Sequence, residues 1–331
     1  MSNQYKISVI IPVYNAEKYI EKCLTSLFEN TIATECEFII INDCSSDFSE
    51  KEIKKLLREF SYLKNNIIFH SHNRNRGSAA ARSTALLYCK GEYIICVDSD
   101  DWVESDYLES LYINASKTQA DIVGCSLYKE FNHKTVIAEN HLDANPEECI
   151  RGLLDGHIAG WLHGKLIRRL IITENSIDFI EGLDLWEDVL FSLKLFYYAK
   201  KIVYLNKPLY HYRFTSGSLV NTAYSEKRIN SLMAIVSNIQ DFLEKHNIYE
   251  KFKSEFDKLK IRVKVSVICE SNNNLREKYL MIYSEIDNQL LCDKNIHYAK
   301  RFAMRMYLHN HQMMGNFTMA LIRVMRLFKY R

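Results

Sequence analysis

Tyr93-Ile94-Ile95-Cys96-Val97-Asp98-Ser99-Asp100-Asp101-Trp102 decides how this 331-residue chain is read. The run from Tyr93 to Val97 is apolar, rich in β-branched side chains and too short for a helix, so it reads as a buried strand. Asp98, Asp100 and Asp101 then follow within four positions. Alternation along an extended chain predicts Asp98 and Asp100 on one side and Asp101 on the other. Two carboxylates at the carboxyl end of a parallel strand can hold a hard divalent cation, which clamps phosphate oxygens. The plainer reading is a polar, solvated strand exit, and spacing alone does not separate the two.

Upstream, Ile7-Ser8-Val9-Ile10-Ile11 reads as a first strand stopped by Pro12. Val13-Tyr14-Asn15 turns the chain, with Asn15 the expected N-cap of a helix over 16–30. Phe38-Ile39-Ile40-Ile41 reads as a second strand that exits into Asn42-Asp43-Cys44-Ser45-Ser46-Asp47. Ser49 and Glu52 have the spacing of a capping box for the next helix. Ile67-Ile68-Phe69-His70 reads as a third strand, exiting into Asn73-Arg74-Asn75-Arg76-Gly77-Ser78 before a helix from about 79 to 89. Four strands alternating with helices predict an α/β fold with a doubly wound, mostly parallel sheet. Ligands of such sheets bind beyond the carboxyl ends of the strands, and here all four ends carry polar exits.

Downstream, strands are expected at 120–125 and, more weakly, 126–137. Basic residues Lys165, Arg168 and Arg169 fall within 161–172. A helix over 184–200 would carry Asp184, Glu187 and Asp188 in its first turns, and 207–213 reads as a short strand and loop. From about 224 the pattern is helical. The division expected is a catalytic α/β domain over 1–220 and a helical region over 221–331.

Composition is that of a soluble globular protein, and a net charge of +2 makes no case for nucleic acid. Nine cysteines without a C-x-x-C pair read as reduced thiols rather than disulfides or a zinc site. The polar start at residues 1–6 predicts no signal peptide, and no 18 apolar residues run together, so a cytoplasmic location is expected. After Asp293 there is no acidic residue, whereas 294–331 holds eight Lys or Arg. Phe317, Leu321, Val324, Met325 and Phe328, with Arg323, Arg326, Lys329 and Arg331 around them, fit a basic amphipathic helix on an anionic membrane surface. An ordinary docked terminal helix is the alternative. The helical region also has two readings, a homodimer interface or a support for the catalytic domain.

Several residues carry chemistry in this pattern. Asp43 can accept the ring N–H of a uracil-type base, or cap its own loop as an Asx-turn. Arg76 and Arg82 flank Gly77 and a helix start, a combination suited to a diphosphate or to a base pocket, although Arg74 and Arg76 read equally well as surface charges. Glu187-Asp188 is either a pair complementing a helix dipole or a general base for a hydroxyl. His211, between Tyr210 and Tyr212, is either a packed histidine or part of a loop over a phosphate site. His309 and His311 read as surface residues.

Taken together, these residues resemble the family 2 glycosyltransferases of the GT-A fold, of bacterial surface-polysaccharide type. The matching pieces are Ser8 to Asn15, Ile41 to Asp47, Asn75 to Arg82, Val97-Asp98-Ser99-Asp100-Asp101, Lys165-Leu166, Trp186 to Phe191, and Tyr210-His211-Tyr212-Arg213 with Ser216 or Ser218. The resemblance covers residue 5 to about 220. It implies that Pro12, Val13, Tyr14 and Asn15 line a base pocket, that Asp43 contacts the base, and that Gly77 and Arg82 help hold the nucleotide. It further implies that Asp98 and Ser99 meet the ribose or donor sugar, that Asp100 with Asp98 ligates Mn²⁺ or Mg²⁺, and that His211 and Arg213 approach the diphosphate or the metal. Asp188 would be the catalytic base, with Glu187 beside it contacting the acceptor. Two departures stand out. Cys44 replaces the family's usual Gly, implying that the loop need not use positive φ there. Ser83 replaces its usual Asn, which affects a contact near the base or sugar.

The function implied is an inverting, metal-dependent glycosyltransferase. It would move a sugar from a nucleotide sugar, a UDP-sugar first among them, to a glycan or lipid-linked acceptor at the cytoplasmic face of a membrane. A phosphatase fits less well because its nucleophile ends the first strand. A nucleotidyltransferase lacks its Gly-rich, Lys-bearing loop here. A non-catalytic sugar-nucleotide or glycan-binding protein is the rival from another class, and a membrane-surface scaffold a further one.

Overall fold

The structure is a computed structural model that describes residues 5–131, 133–214 and 224–329, and at 312 and 322–329 the backbone alone. Two compact units emerge, one of residues 1–153 with 157–216 and one of 154–156 with 217–331. Ser216 and Ser218 lie outside the described residues, as do the side chains of Arg323, Val324, Met325, Arg326, Phe328, Lys329 and Arg331.

In the first unit the chain runs β1 (Tyr5–Val13), α1 (Ile20–Phe28), β2 (Cys36–Asn42), α2 (Ser49–Glu59), β3 (Ile67–Ser71), α3 (Ser78–Leu86) and β4 (Gly91–Cys96). It continues through β5 (Trp102–Val103), α4 (Tyr107–Thr118), β6 (Ile122–Phe131), β7 (Lys134–Ala138), α5 (Pro146–Asp155), β8 (Lys165–Arg168), α6 (Arg169–Glu174), α7 (Glu187–Tyr198) and β9 (Ile202–Arg213). Among the described residues these nine strands form one sheet in the order β3-β2-β1-β4-β8-β6-β9-β5, with β7 on β6. The four N-terminal strands pair in parallel, as their alternation with helices predicts. Ile7, Val9, Ile10 and Ile11 are all fully buried, so both faces of β1 are covered, which explains a continuous apolar run rather than an alternating one. Each such side chain contributes about 1.5–3 kcal/mol of burial.

Beyond β4 the sheet turns mixed. β8 is antiparallel to both β4 and β6, β9 is parallel to β6, and β5 is antiparallel to β9. The expected short strand at 207–213 is the end of a 12-residue β9. Its pairing sets Trp102 against His211 and Val103 against Tyr210, carrying the 210–213 segment to the acidic exit of β4.

Four local expectations are corrected. Pro12 does not stop β1, because the N–H it lacks would face the β4 side, where the ladder has already ended at Ile10–Cys96. Asn15 does not cap α1. It sits at φ 49, its Oδ1 accepts from Ser46 N at 2.8 Å, and α1 begins only at Ile20. The Ser49–Glu52 capping box does not form. Ser49 Oγ donates to Asp47 Oδ1 at 2.5 Å and accepts from Ala16 N, so Asp47 caps the α2 entry instead. Finally, α7 starts at Glu187 rather than 184, because Trp186 is left-handed at φ 63 and Asp184 is engaged elsewhere.

The second unit holds α8 (Glu226–Lys245), α9 (Tyr249–Glu270), α10 (Asn273–Tyr279), α11 (Asp287–Cys292), α12 (Tyr298–Leu308) and α13 (Gln312–Lys329). Its core packs Ile261, Ile268, Leu290, Met304, Tyr307 and Met319. Among the described residues no helix is long and apolar enough to cross a membrane. All nine cysteines are free.

Candidate active site

The exits of β1 and β2 are laced together. Asn15 N donates to Ser45 Oγ at 3.0 Å, Glu17 N to Asp47 Oδ2 at 3.0 Å, and Phe48 N to Glu17 Oε2 at 3.0 Å. Cys44 stands in this loop at φ 58. The substitution of the usual Gly therefore leaves the left-handed backbone in place, contrary to expectation, and an L side chain bears the strain. Val13 is buried, Pro12 is half-buried, and Tyr14 and Asn15 are exposed along the same rim.

Asp43 is buried at the end of β2. Its Oδ1 meets His72 Nδ1 at 2.6 Å and accepts from Arg76 N at 2.9 Å, and its Oδ2 accepts from Gly77 N at 2.7 Å. A carboxylate has about four lone-pair sites, and the loop uses most of Asp43's. A base N–H would have to share an oxygen with the loop. Gly77 has φ 92, and a Cβ there would stand 2.3 Å from the Asp184 carboxylate. That carboxylate accepts from Ala79 N at 3.1 Å. The N terminus of α3, expected to face a diphosphate, is thus occupied by Asp184. Arg76 makes a two-pronged pair with Glu181, at 3.0 and 2.7 Å, on the surface. Ser83 Oγ donates to Asp178 at 2.6 Å.

Around the acidic exit the geometry departs from simple alternation. The chain leaves β4 in a turn, with Asp101 N donating to Asp98 O at 3.1 Å. The turn brings Asp98 and Asp101 together instead of setting Asp101 opposite, and Ser99 and Asp100 form its half-buried apex. A ligand atom from each of Asp98, Asp101 and His163 lies within 4.8 Å of the others. Asp101 is buried, with Oδ2 accepting from Tyr210 OH at 2.6 Å and Oδ1 from Arg213 N at 2.7 Å. Burial and the neighbouring carboxylates push Asp101 well above the usual carboxylate range, and burial, then Asp98, pushes Asp100 up to about 6. Burial would raise Asp98 as well, but the His163 hydrogen bond and the Arg82 charge hold it below its usual range.

Arg82 joins the two acidic segments. Its guanidinium donates to Asp98 Oδ1 at 2.9 Å and to Glu187 Oε1 at 2.7 Å. Ser78 Oγ adds a second donor to Glu187 Oε1 at 3.0 Å. Asp188 follows in the first turn of α7, behind the strained Trp186. Backbone strain of this kind costs about 1–3 kcal/mol and persists where surrounding structure enforces it. Burial raises the Asp188 carboxyl against the pull of Arg82, Lys165 and His163, and burial with help from Asp188 raises Glu187.

The last strand supplies Tyr210, His211 and Arg213. Arg213 Nε donates to Asp100 O at 2.8 Å, and its guanidinium lies over Tyr19 and Trp102. His211 is flanked by Glu130 at 2.7 Å and Glu104 at 3.0 Å and stacks between Trp102 and Tyr128. His163 was not anticipated from the sequence. It is buried, stacks on Tyr210 at 4.9 Å and on Trp161 at 5.1 Å, and its Nδ1 lies 3.4 Å from Asp98 Oδ2. Its only sequence signal is a histidine within an otherwise apolar Trp161-Leu162-His163-Gly164 approach to β8. Lys165, also buried, donates to the carbonyls of Ala159 and Trp161.

The first unit thus offers a polar rim at the exits of β1 and β2 and an acidic turn after β4, which Arg82 joins to the paired carboxylates Glu187 and Asp188 of α7. Residues 8–174 match the Glycosyl transferase family 2 domain. EpsH of Bacillus subtilis is 33% identical over 261 residues, covering 76% of this chain and 73% of that protein. The poly(ribitol-phosphate) beta-N-acetylglucosaminyltransferase TarS of Staphylococcus aureus is 31% identical over 226 residues, 66% of this chain but only 37% of TarS. A crystal structure of S. aureus TarS 1–349 in complex with UDP-GlcNAc superposes with a TM-score of 0.66 at 22% identity, over 96% of this chain and 91% of that one. The chain belongs to the family 2 glycosyltransferases, and its fold is GT-A.

Proposed function

We propose that the chain is an inverting, metal-dependent glycosyltransferase that takes a UDP-sugar and glycosylates a hydroxyl of a glycan or lipid-linked acceptor in surface-polysaccharide synthesis. The observation that carries this reading is the Arg82 bridge, which ties the acidic turn at Asp98 to Glu187 and so to Asp188. The UDP-GlcNAc bound to TarS supports the donor class. The donor set fits a divalent cation such as Mn²⁺ or Mg²⁺. Asp98 and Asp100, with Asp101 and His163 as added candidates, would hold it, since oxygen-rich donors suit such a cation and the raised carboxyls of Asp100 and Asp101 are short of neighbouring positive charge. Such a cation supplies charge neutralisation for a departing diphosphate.

Asp188 accepts the proton of the acceptor hydroxyl. That oxygen bonds the anomeric carbon on the face opposite the diphosphate. The carbon–diphosphate bond breaks, and the nucleoside diphosphate leaves with the electron pair. A carboxyl raised by burial is a stronger base near neutral pH than an exposed one. Glu187, held by Arg82 and Ser78, orients the acceptor. Pro12, Val13, Tyr14, Asn15 and Asp43 form the base side of the site, with Gly77 holding Asp43 in place, and Ser99, His211 and Arg213 form its sugar-diphosphate side. Residues 1–220 act as the catalytic domain, and the basic C-terminal tail rests on the cytoplasmic face of the membrane.

The test is thermal-shift binding of UDP, GDP, CDP and TDP with and without Mn²⁺. At a hundredfold excess over Kd, binding adds about 2.7 kcal/mol, or roughly 5–10 °C for a unit of this size. The expected result is a Mn²⁺-dependent shift with UDP, lost in Asp100→Ala. Asp188→Asn should keep the shift and lose turnover. Absence of any nucleotide shift under all conditions overturns the reading in favour of a glycan-binding protein or a scaffold.

A further inference from the structure

We propose that the outward face of α13 is a docking surface for an anionic lipid bilayer. This deepens the membrane reading above by naming the face and the lipid chemistry. The helix carries apolar residues on its outward side as well as on the side packed against its own unit. Its inward side carries Gly315 and Met319, where a Cβ on Gly315 would meet the Tyr307 ring at 2.6 Å, and Met319 joins the core of the second unit. A polar residue also faces inward, since Asn316 Oδ1 accepts from Arg276 Nη1 at 2.6 Å and Tyr307 OH at 3.0 Å. The outward row is apolar. Met313 is 88% exposed, Phe317 68% and Leu321 49%, at a spacing of four that keeps them on one stripe. In sequence, Val324, Met325 and Phe328 continue that spacing. On α12, Tyr298 and Phe302 are exposed at the same interval.

A terminal helix docked only on its own unit turns a polar face to water. A contiguous exposed apolar row marks a contact surface. Charge selects the occupant. Lys300, Arg301 and Arg305 on α12, and Arg323, Arg326 and Lys329 in the sequence of α13, have no acidic residue among them. A symmetric pairing with a second copy would bring two such acid-free basic segments face to face. An anionic headgroup layer satisfies the basic residues while its acyl boundary takes up Met313, Phe317 and Leu321. The helix is about 27 Å long by its rise per residue and is not apolar enough to span, so it lies in the plane of the interface.

The experiment floats the full-length chain with vesicles of phosphatidylcholine alone, or of phosphatidylcholine with phosphatidylglycerol, at low and high salt. Two variants separate the components. Phe317→Gln with Leu321→Gln removes apolar residues and keeps the charge, and Arg323→Gln with Arg326→Gln and Lys329→Gln does the reverse. The wild type is expected on anionic vesicles only, with release by salt. The apolar variant should bind roughly tenfold more weakly, and the basic variant should weaken by roughly fivefold per residue. Both should keep the nucleotide-induced thermal shift, so a lost site and a lost membrane contact are told apart. Unchanged vesicle binding by the apolar variant overturns this face while leaving a membrane contact. Failure of the wild type to float overturns both. A wild-type dimer that the apolar variant dissociates, seen by light scattering without vesicle binding, assigns the face to a second copy.

Discussion

Replacing Arg82 with alanine should destabilise the first unit by about 3 kcal/mol, and the geometry says why. The guanidinium side chain is 12% exposed and contacts two carboxylates, Asp98 at 2.9 Å and Glu187 at 2.7 Å. At an effective dielectric constant near 20, one unit-charge pair at 4 Å is worth about 4 kcal/mol. Truncating one partner of a buried pair costs about 3–5 kcal/mol, because the remaining charge stays desolvated. The partial exposure of Asp98 lets water return, which argues for the lower end. Arg82→Lys keeps the charge but loses the fork that reaches both carboxylates, so roughly half the loss should remain. All three tryptophans, Trp102, Trp161 and Trp186, lie in segments that build the site, so urea unfolding followed by tryptophan fluorescence reports on it. The loss should shrink in acid. Asp98 is depressed in the folded state, so its stabilising contribution is present above the unfolded carboxylate value and disappears as pH falls through the folded one. A loss below about 1 kcal/mol at pH 7 for Arg82→Ala, or a lysine variant as stable as wild type, would refute the bridge as the element joining the two acidic segments.

What could be read in the chain and what could not divide along physical lines. The strands β1, β2 and β4 are buried on both faces, and continuous apolar runs announce that without tertiary information. Their polar exits follow because ligands of such sheets bind there. The pairing of β8 between β4 and β6 in antiparallel sense has no local signature, since its partners lie more than 40 residues away on the β6 side and more than 70 on the β4 side. His163 arrives on that crossover and was missed for the same reason. The turn at Asp98–Asp101 defeated a period-two argument because the strand ends at Cys96, after which alternation no longer applies. Asp184 illustrates a third kind of miss. Its sequence position suggests the first turn of its own helix, yet it caps α3 across about a hundred residues, and only the left-handed Trp186 reveals that α7 starts later.

Two further outcomes test the loop between β2 and α2, which is laced to the exit of β1. Cys44→Gly should stabilise the protein by about 0.5–1 kcal/mol, since glycine removes the left-handed strain at φ 58 but adds entropy to the unfolded chain. Urea midpoints measure this, and a destabilised glycine variant would show that the thiol makes a contact that outweighs the strain. Asp47→Asn tests the cap. Burial alone would raise this carboxyl, but hydrogen bonds from Ser49 Oγ, Glu17 N and Ser49 N lower it. A group depressed on folding stabilises above its unfolded value, and that stabilisation is lost as pH falls through the folded value. Asparagine keeps the shape and one accepting oxygen but not the charge, so it should cost about 1 kcal/mol at pH 7. The gap to wild type should narrow steadily from about pH 4 downward, because protonated Asp47 is then as weak an acceptor as the amide. A gap that is constant between pH 7 and pH 3 would mean that Asp47 holds the α2 entry by shape alone, and the charge-assisted cap would have to be abandoned.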